Sequence, residues 1–266
     1  MKPDVIVFAS GSANGGGSGF ENLVLASRSG LLDANILAVV SNHADGGVRA
    51  RADKLRVPFL HLPEPWDSEG YQDVARWSRA DFFALSGWLK LVTGLDPSTR
   101  FNSRTVFNIH PGPLPDFGGP GLYGHHVHEA VINAYKSGKI THSAVSMHFV
   151  TDEYDRGPVF LRCKVHIKQD DTPDTLGKRV NQQEHLFQPK ITNMVVNGQI
   201  KWDGLNPKSL QVPPGYSIEC NEKYVHADVK CEKCPSKGAI CLNTRGGKWM
   251  TMECVSCGFV FSIDGE

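Results

Sequence analysis

Three groups of residues in this sequence have types and spacing suited to chemistry. The first is Asn108-Ile109-His110, followed at once by Pro111-Gly112-Pro113-Leu114-Pro115. On a strand, alternation puts Asn108 and His110 on one face, and at its C-terminal end both side chains enter the crevice where open α/β sheets bind ligands. A carboxamide beside an imidazole can hydrogen-bond an oxyanion and shuttle a proton, the two demands of acyl transfer. The same residues also suit a capped strand end before a proline turn. The second group is His148-Phe149-Val150-Thr151-Asp152-Glu153-Tyr154-Asp155, a strand end running into a loop dense with carboxylates. A carboxylate close to His110 would orient its ring and stabilise the imidazolium; standing alone, the loop reads as an exposed acidic turn.

The third group is the glycine-rich run from 11 to 19. Glycines let a backbone turn tightly and approach a ligand, and amides opening a helix make an anion cradle. The run matches neither G-x-G-x-x-G with a well-placed acid nor a lysine-containing phosphate loop, so a flexible loop is the competing reading. Separately, Cys231-x-x-Cys234 and Cys254-x-x-Cys257 stand nineteen residues apart. That is the spacing of two knuckles closing one tetrahedral four-sulfur site, and it predicts a structural Zn²⁺ with no open coordination position.

The elements that must position these groups follow from hydrophobic patterning. Short apolar strands alternate with amphipathic segments at 5–9, 20–29, 36–41, 48–56, 80–85 and 105–109, which predicts β-α-β units in a doubly wound, mostly parallel sheet. A helix is expected over 121–137, strands over 143–150 and 158–167, and a long helix capped by Thr172 with Pro173 in its first turn. That helix should turn Leu176, Val180, Phe187, Ile191 and Val195 to the core and end near Asn197-Gly198. The Pro-rich stretch from 206 suits a linker. The expected organisation is a catalytic domain over 1–205, a linker over 206–219 and a zinc-ribbon-like module over 220–266. In the module, Gly238, Gly246, Gly247 and Gly258 would supply turns, with strands over 249–252 and 259–262.

The 266 residues carry 28 Lys plus Arg and 28 Asp plus Glu, so no basic excess calls for nucleic acid or an anionic membrane. Any anion must be bound locally. No segment approaches the roughly 18 apolar residues of a membrane span, and the N-terminus lacks the pattern of a signal peptide. A soluble, cytoplasmic setting is therefore expected. Of seven cysteines, all but Cys163 fall in the last fifth, which favours metal over disulfides in such a chain. Cys220 and Cys241 are spare thiols or substitute ligands.

Taken in chain order, the strand–glycine loop–helix opening, Asn108-Ile109-His110-Pro111 with Leu114-Pro115, His148 to Glu153 ending in Asp155-x-Gly157-Pro158, and Gln183-Glu184-His185 resemble the glycinamide ribonucleotide formyltransferases over about residues 3–206. The resemblance implies 10-formyltetrahydrofolate as co-substrate and Asn108, His110 and Asp155 as the catalytic set. It implies that Glu184 holds the nucleotide and that His148 lies by the transferring group. For folate it implies the segment around Leu89, Lys90 and Val92 and the loop at Thr151 and Asp152. The glycine loop is several residues longer than usual, and Gly17, Ser18 and Gly19, nearest the helix, are the expected phosphate amides. The stretch from Gly118 to His125 is also extended.

An amino-sugar nucleotide as acceptor is the nearest alternative. A hydrolase releasing formate would carry a regulatory domain ahead of a loop that here starts at residue 11, and enzymes formylating methionyl-tRNA append a basic barrel. A non-catalytic binding protein is disfavoured by the intact catalytic set. Residues 213–266 hold six Lys/Arg against seven Asp/Glu. The ribbon is therefore expected to contact protein, to self-associate or to stabilise, and not to grip nucleic acid.

Overall fold

The computed structural model describes residues 1–223, 225–245 and 248–262. Gly246 and Gly247, two of the expected turn glycines, lie outside the described residues. The chain alternates β1 (Asp4–Phe8), α1 (Ser18–Ser29), β2 (Asn35–Ser41), α2 (Gly47–Leu55), β3 (Phe59–His61), α3 (Ser68–Ser78) and β4 (Phe82–Ser86). It continues through β5 (Val106–His110), α4 (His125–Lys136), β6 (His142–Phe149), β7 (Val159–His166), α5 (Pro173–Val196) and β8 (Glu219–Asn221). These strands form one sheet in the order β3-β2-β1-β4-β5-β6-β7-β8. β1 to β5 run parallel, β6 is antiparallel to both β5 and β7, and β8 is parallel to β7.

The order reverses between β1 and β4, so the loops leaving those two strands part in opposite directions. Their carboxyl ends open a crevice there. Both faces of the sheet are covered, and the central strands are correspondingly apolar along their whole length: Val5, Ile6, Val7 and Phe8 are all fully buried. Odd and even residues of β1 enter different cores, Val5 and Val7 beneath α1 and α5, Ile6 and Phe8 beneath α3.

Local chemistry sets the ends of the site-bearing helices. α4 begins at His125, four residues later than the glycine-rich sequence before it suggested. Gly124 sits at φ 56°, and a preceding run with Gly121 at φ 83° cannot continue a right-handed helix. α5 begins as read: Thr172 Oγ1 accepts the Thr175 amide at 3.2 Å, and Pro173 occupies the first turn. Pro189 lies inside α5, so the carbonyl four residues earlier, that of His185, has no helical partner. Asn22 Nδ2 donates to it instead, at 2.7 Å.

The remaining residues form a four-stranded antiparallel sheet of β9 (Val225–Lys230), β10 (Lys237–Arg245), β11 (Lys248–Cys254) and β12 (Val260–Ser262). The boundary drawn at 220 falls inside β8. Residues 219–221 extend the large sheet, with Cys220 in register with Cys163, and the small sheet starts at Val225. Cys220 therefore lies beside Cys163 in the large sheet and not with the clustered cysteines. Among the described residues no helix is long and apolar enough to cross a membrane.

Candidate active site

Asn108 and His110 occupy the last turns of the pleat in β5, on the same face. The antiparallel neighbour β6 sets His148 directly opposite Asn108 in register. The loop after β6 returns Asp155 to both histidines, with Asp155 at φ 54°. Its Oδ2 lies 3.7 Å from His110 Nδ1 and accepts the Gly119 amide at 3.0 Å, while its Oδ1 lies 3.4 Å from both Asn108 Nδ2 and His148 Nε2.

Backbone carbonyls hold one nitrogen of each ring. His148 Nδ1 is 2.7 Å from the Phe149 carbonyl and donates to it, while its Nε2 stands 3.1 Å from Asn108 Nδ2 and 3.4 Å from Asp155 Oδ1. His110 Nε2 is 2.7 Å from the Phe117 carbonyl and donates in the same way. The basic atom of His110 is therefore Nδ1, which faces the Asp155 carboxylate. Burial pushes His110 below its ordinary 6.5, against the pull of Asp155 and the Phe117 carbonyl, so the ring is neutral at neutral pH. Burial alone would raise Asp155. The neighbouring His148 and His110 imidazoles and the Gly119 amide outweigh it and hold the carboxyl at about 2.

Asn108, His110 and Asp155 stand in the wall of a cavity of ≈ 980 Å³. One end is the glycine loop, where Gly17, Ser18 and Gly19 line the wall together with Gly11, Ser12 and Gly16. The length of the loop has a simple use. Ser12 and Gly15 exchange backbone hydrogen bonds of 2.9 and 3.4 Å, so the extra residues close into a turn and α1 still begins at the cavity. Gly17 caps α1 at φ 76° without a side-chain cap, leaving the first-turn amides free.

The same end is bounded by α5 through Asn181, Glu184, His185 and Gln188. Only Glu184 was read as a site residue; its partners are its neighbours at helical spacing, a signal present in the sequence. Burial drives Glu184 up to about 7, only partly offset by the 3.1 Å hydrogen bond from Asn181 Nδ2. His185 is pushed down to about 4 by burial and by the Arg51 charge, and its Nε2 meets Ser18 Oγ at 3.2 Å. His128 also lines the cavity, held down to about 4 by burial and by the neighbouring His125 and His110, with its Nδ1 unpartnered.

The raised Glu184 gives a signed expectation. The folded state keeps a proton that the unfolded chain releases near 4.5, so this group's contribution is present at low pH and is lost as pH rises through about 7. Glu184→Gln should gain stability over the parent between pH 5 and pH 8, by roughly 2 kcal/mol. Urea unfolding at the two pH values reads it, and an unchanged difference would contradict it.

Other expected residues are placed differently. His148 is 2 % exposed and does not line the cavity; it stands behind Asn108 as a support. Leu89 lines the main cavity and also an adjoining one of ≈ 520 Å³, where Lys90 joins it with Nζ 3.6 Å from the centroid of the Trp66 ring. Val92 is buried in the core beneath α3, and Val92, Thr151 and Asp152 line neither cavity. The Thr151 hydroxyl instead closes its own turn onto Glu153. Tyr123 and Tyr154, which span the two cavities, carried no motif and were missed.

In the small sheet, the sulfurs of Cys231, Cys234, Cys254 and Cys257 all lie within 4.8 Å of one another. Cys231 Sγ also accepts the amides of Lys233 and Cys234, at 3.3 and 3.4 Å, as a thiolate in a metal knuckle does. The donor set therefore fits a metal ion with four sulfur ligands.

An open α/β sheet with an amide, an imidazole and a carboxylate at the ends of β5 and β6 defines a class of acyl-transfer catalyst. Comparison with known proteins narrows it: the Formyl transferase family matches residues 4–192, and the chain belongs to that family. A chloroplastic phosphoribosylglycinamide formyltransferase of Arabidopsis thaliana is 35% identical over 196 residues, 71% of this chain and 65% of the relative. The phosphoribosylglycinamide formyltransferase of Escherichia coli is 31% identical over 195 residues, 71% of this chain and 86% of that protein. The chain thus spans just under two thirds of the plant relative. A crystal structure of phosphoribosylglycinamide formyltransferase from Anaplasma phagocytophilum shares the fold, with a TM-score of 0.67 and 24% identity over 84% of this chain and all of the other.

Proposed function

We propose that the chain transfers a formyl group from 10-formyltetrahydrofolate to the amine of glycinamide ribonucleotide, a step of purine biosynthesis. The observation that carries this reading is the convergence of Asn108, His110 and Asp155 on one wall of a cavity whose end is the N-terminus of α1, without a side-chain cap. The names of the plant and bacterial relatives support the acceptor.

The nucleotide phosphate meets the amides of Gly17, Ser18 and Gly19, and Glu184 accepts hydrogen bonds from the sugar hydroxyls. The folate enters past Leu89 and Lys90. The acceptor amine attacks the formyl carbon, and negative charge moves to the formyl oxygen, where the Asn108 amide donates to it. His110 takes the amine proton at Nδ1, the atom facing Asp155, and the imidazolium so formed offsets the oxyanion charge. Collapse breaks the bond from carbon to the folate nitrogen, and His110 returns the proton to that nitrogen. His148 holds one hydrogen of the Asn108 Nδ2 group, and the other, which meets Asp155 Oδ1 at 3.4 Å, turns to the formyl oxygen as charge develops there.

Cys231, Cys234, Cys254 and Cys257 would hold a structural Zn²⁺, whose chemistry is to cross-link the two knuckles of a module too small to fold on its own core. A cytoplasmic setting belongs to the same proposal, as does contact or self-association through this module.

The deciding assay gives the purified chain 10-formyltetrahydrofolate with glycinamide ribonucleotide, with an amino-sugar nucleotide, and with no acceptor. The expected result is formylated glycinamide ribonucleotide and tetrahydrofolate in equal amounts. Turnover only with the amino sugar, or formate released without an acceptor, would replace this reading.

A further inference from the structure

One helix serves two surfaces. Along α5, Asn181 lies three and four residues before Glu184 and His185, Gln188 lies four and three after them, and all face the cavity. Gln183, Leu186, Phe187 and Lys190 repeat the same spacing one stripe around, and that stripe meets the cysteine module. Gln183 Nε2 donates to the Lys223 carbonyl at 2.7 Å while its Oε1 accepts the Lys223 amide at 2.9 Å. Leu186, 1 % exposed, packs with Ile240 and Val255, and Phe187 and Val225 close the margin of that cluster. Lys190 pairs with Glu253.

The module's contribution comes largely from one knuckle. Glu253 and Val255 flank Cys254, and Gly258, which follows Cys257, fits so closely on Leu31 that a Cβ there would lie 2.9 Å from Leu31 Cδ1. Leu31 comes two residues after α1, beyond its Gly30 cap. The knuckle therefore touches α5 and the segment that leaves the C-terminal end of α1, the two helices that bound the glycine-loop end of the cavity. Those helices are joined at the cavity by His185 with Ser18 and by Asn22 with the His185 carbonyl, the carbonyl that Pro189 leaves without a helical partner. At this missing rung α5 needs support from outside itself, and Leu186 and Lys190 anchor it on either side. Alternation along β10 sorts the two roles within the module: Ala239 faces the cysteine cluster and Ile240 faces α5.

We infer that the Cys254–Cys257 knuckle is a positioning element for the acceptor-binding face of α5, with Val255 and Glu253 fixing the rotation of the helix and hence Glu184 and His185. This rests on the assignment of the glycine-loop end to the nucleotide acceptor. The occupant of the module's apolar face is α5 of its own chain.

The test uses the full chain carrying Val255→Ala with Lys190→Met, which keeps every cysteine and every cavity residue. A second variant, Glu253→Gln, removes only the ion pair, and Val255→Ile restores the apolar contact. Calorimetric binding of glycinamide ribonucleotide and of a folate analogue is read beside amide exchange over 181–190. The double variant should bind the nucleotide about tenfold more weakly and exchange faster across 181–190. Folate binding and kcat at saturation should hold, with Glu253→Gln intermediate and Val255→Ile like the parent. Stripping the metal with a chelator should accelerate the same amides, and returning Zn²⁺ should reverse it. Unchanged exchange and unchanged nucleotide binding in every arm would overturn the inference. Should the parent itself not bind glycinamide ribonucleotide, the acceptor assignment falls, and accelerated exchange in α5 still supports the positioning role.

Discussion

His110→Ala should lower kcat for formyl transfer by about 10²–10⁴-fold, the range a positioned acid–base group supplies, with an unchanged far-UV spectrum. The ring is 4 % exposed, yet one side of it is cavity, and the backbone around it is fixed by the β5–β6 register. Asp155→Asn should fall in the same range for a different reason. The amide is isosteric and can still accept the Gly119 amide, but it carries no charge to stabilise the imidazolium when His110 gains its proton at Nδ1. Without that carboxylate His110 also drops further below 6.5, since Asp155 is the main influence raising it. Steady-state rates with both substrates saturating check both variants, and near-parental turnover in either would remove that residue from the mechanism.

Cys231→Ser with Cys254→Ser should take the metal content from one ion per chain to none and unfold the small sheet. The two substitutions remove one sulfur from each knuckle, and a serine hydroxyl is a poor replacement for a thiolate. Structural zinc sites of this kind contribute apparent binding free energies of about 10–16 kcal/mol to folding, far more than the few buried residues of the module supply. Those residues, chiefly Ala239, Met252 and Phe261, pack on the cysteines themselves. The large sheet has its own two cores and should still unfold cooperatively, with α5 loosened where Leu186 loses Ile240 and Val255. Elemental analysis and thermal unfolding decide it: a metal-free parent protein would contradict the assignment, and so would a variant that retains one ion.

How much of this was legible in the sequence depended on the range of the interaction. Asn108 and His110 could be placed on one face because a strand alternates with a period of two, a rule that needs no partner. Thr172 and Pro173 announced the start of α5 for the same reason. The pairing of His148 with Asn108 was not legible, because it depends on β6 lying antiparallel to β5, a register set by tertiary packing. The Phe117 carbonyl and the Gly119 amide are backbone groups in an irregular loop, so no residue type advertises them. β8 was hidden because three residues at a sheet edge leave no periodic pattern, and Cys220 was grouped with the other cysteines by proximity along the chain alone. Leu186 was passed over because α5 is apolar on two stripes, and a helix facing both a core and a second sheet blurs the single face that patterning looks for.

The account stands on Asn108, His110 and Asp155 acting as a unit on one carbon, and a double-mutant cycle on the formyl-transfer rate tests that most directly. Groups that work together lose nearly everything when one is removed. His110→Ala combined with Asp155→Asn should therefore be no more than a few-fold slower than the slower single variant. A double variant whose loss equals the product of the two single losses would show the residues acting independently, and would contradict the mechanism.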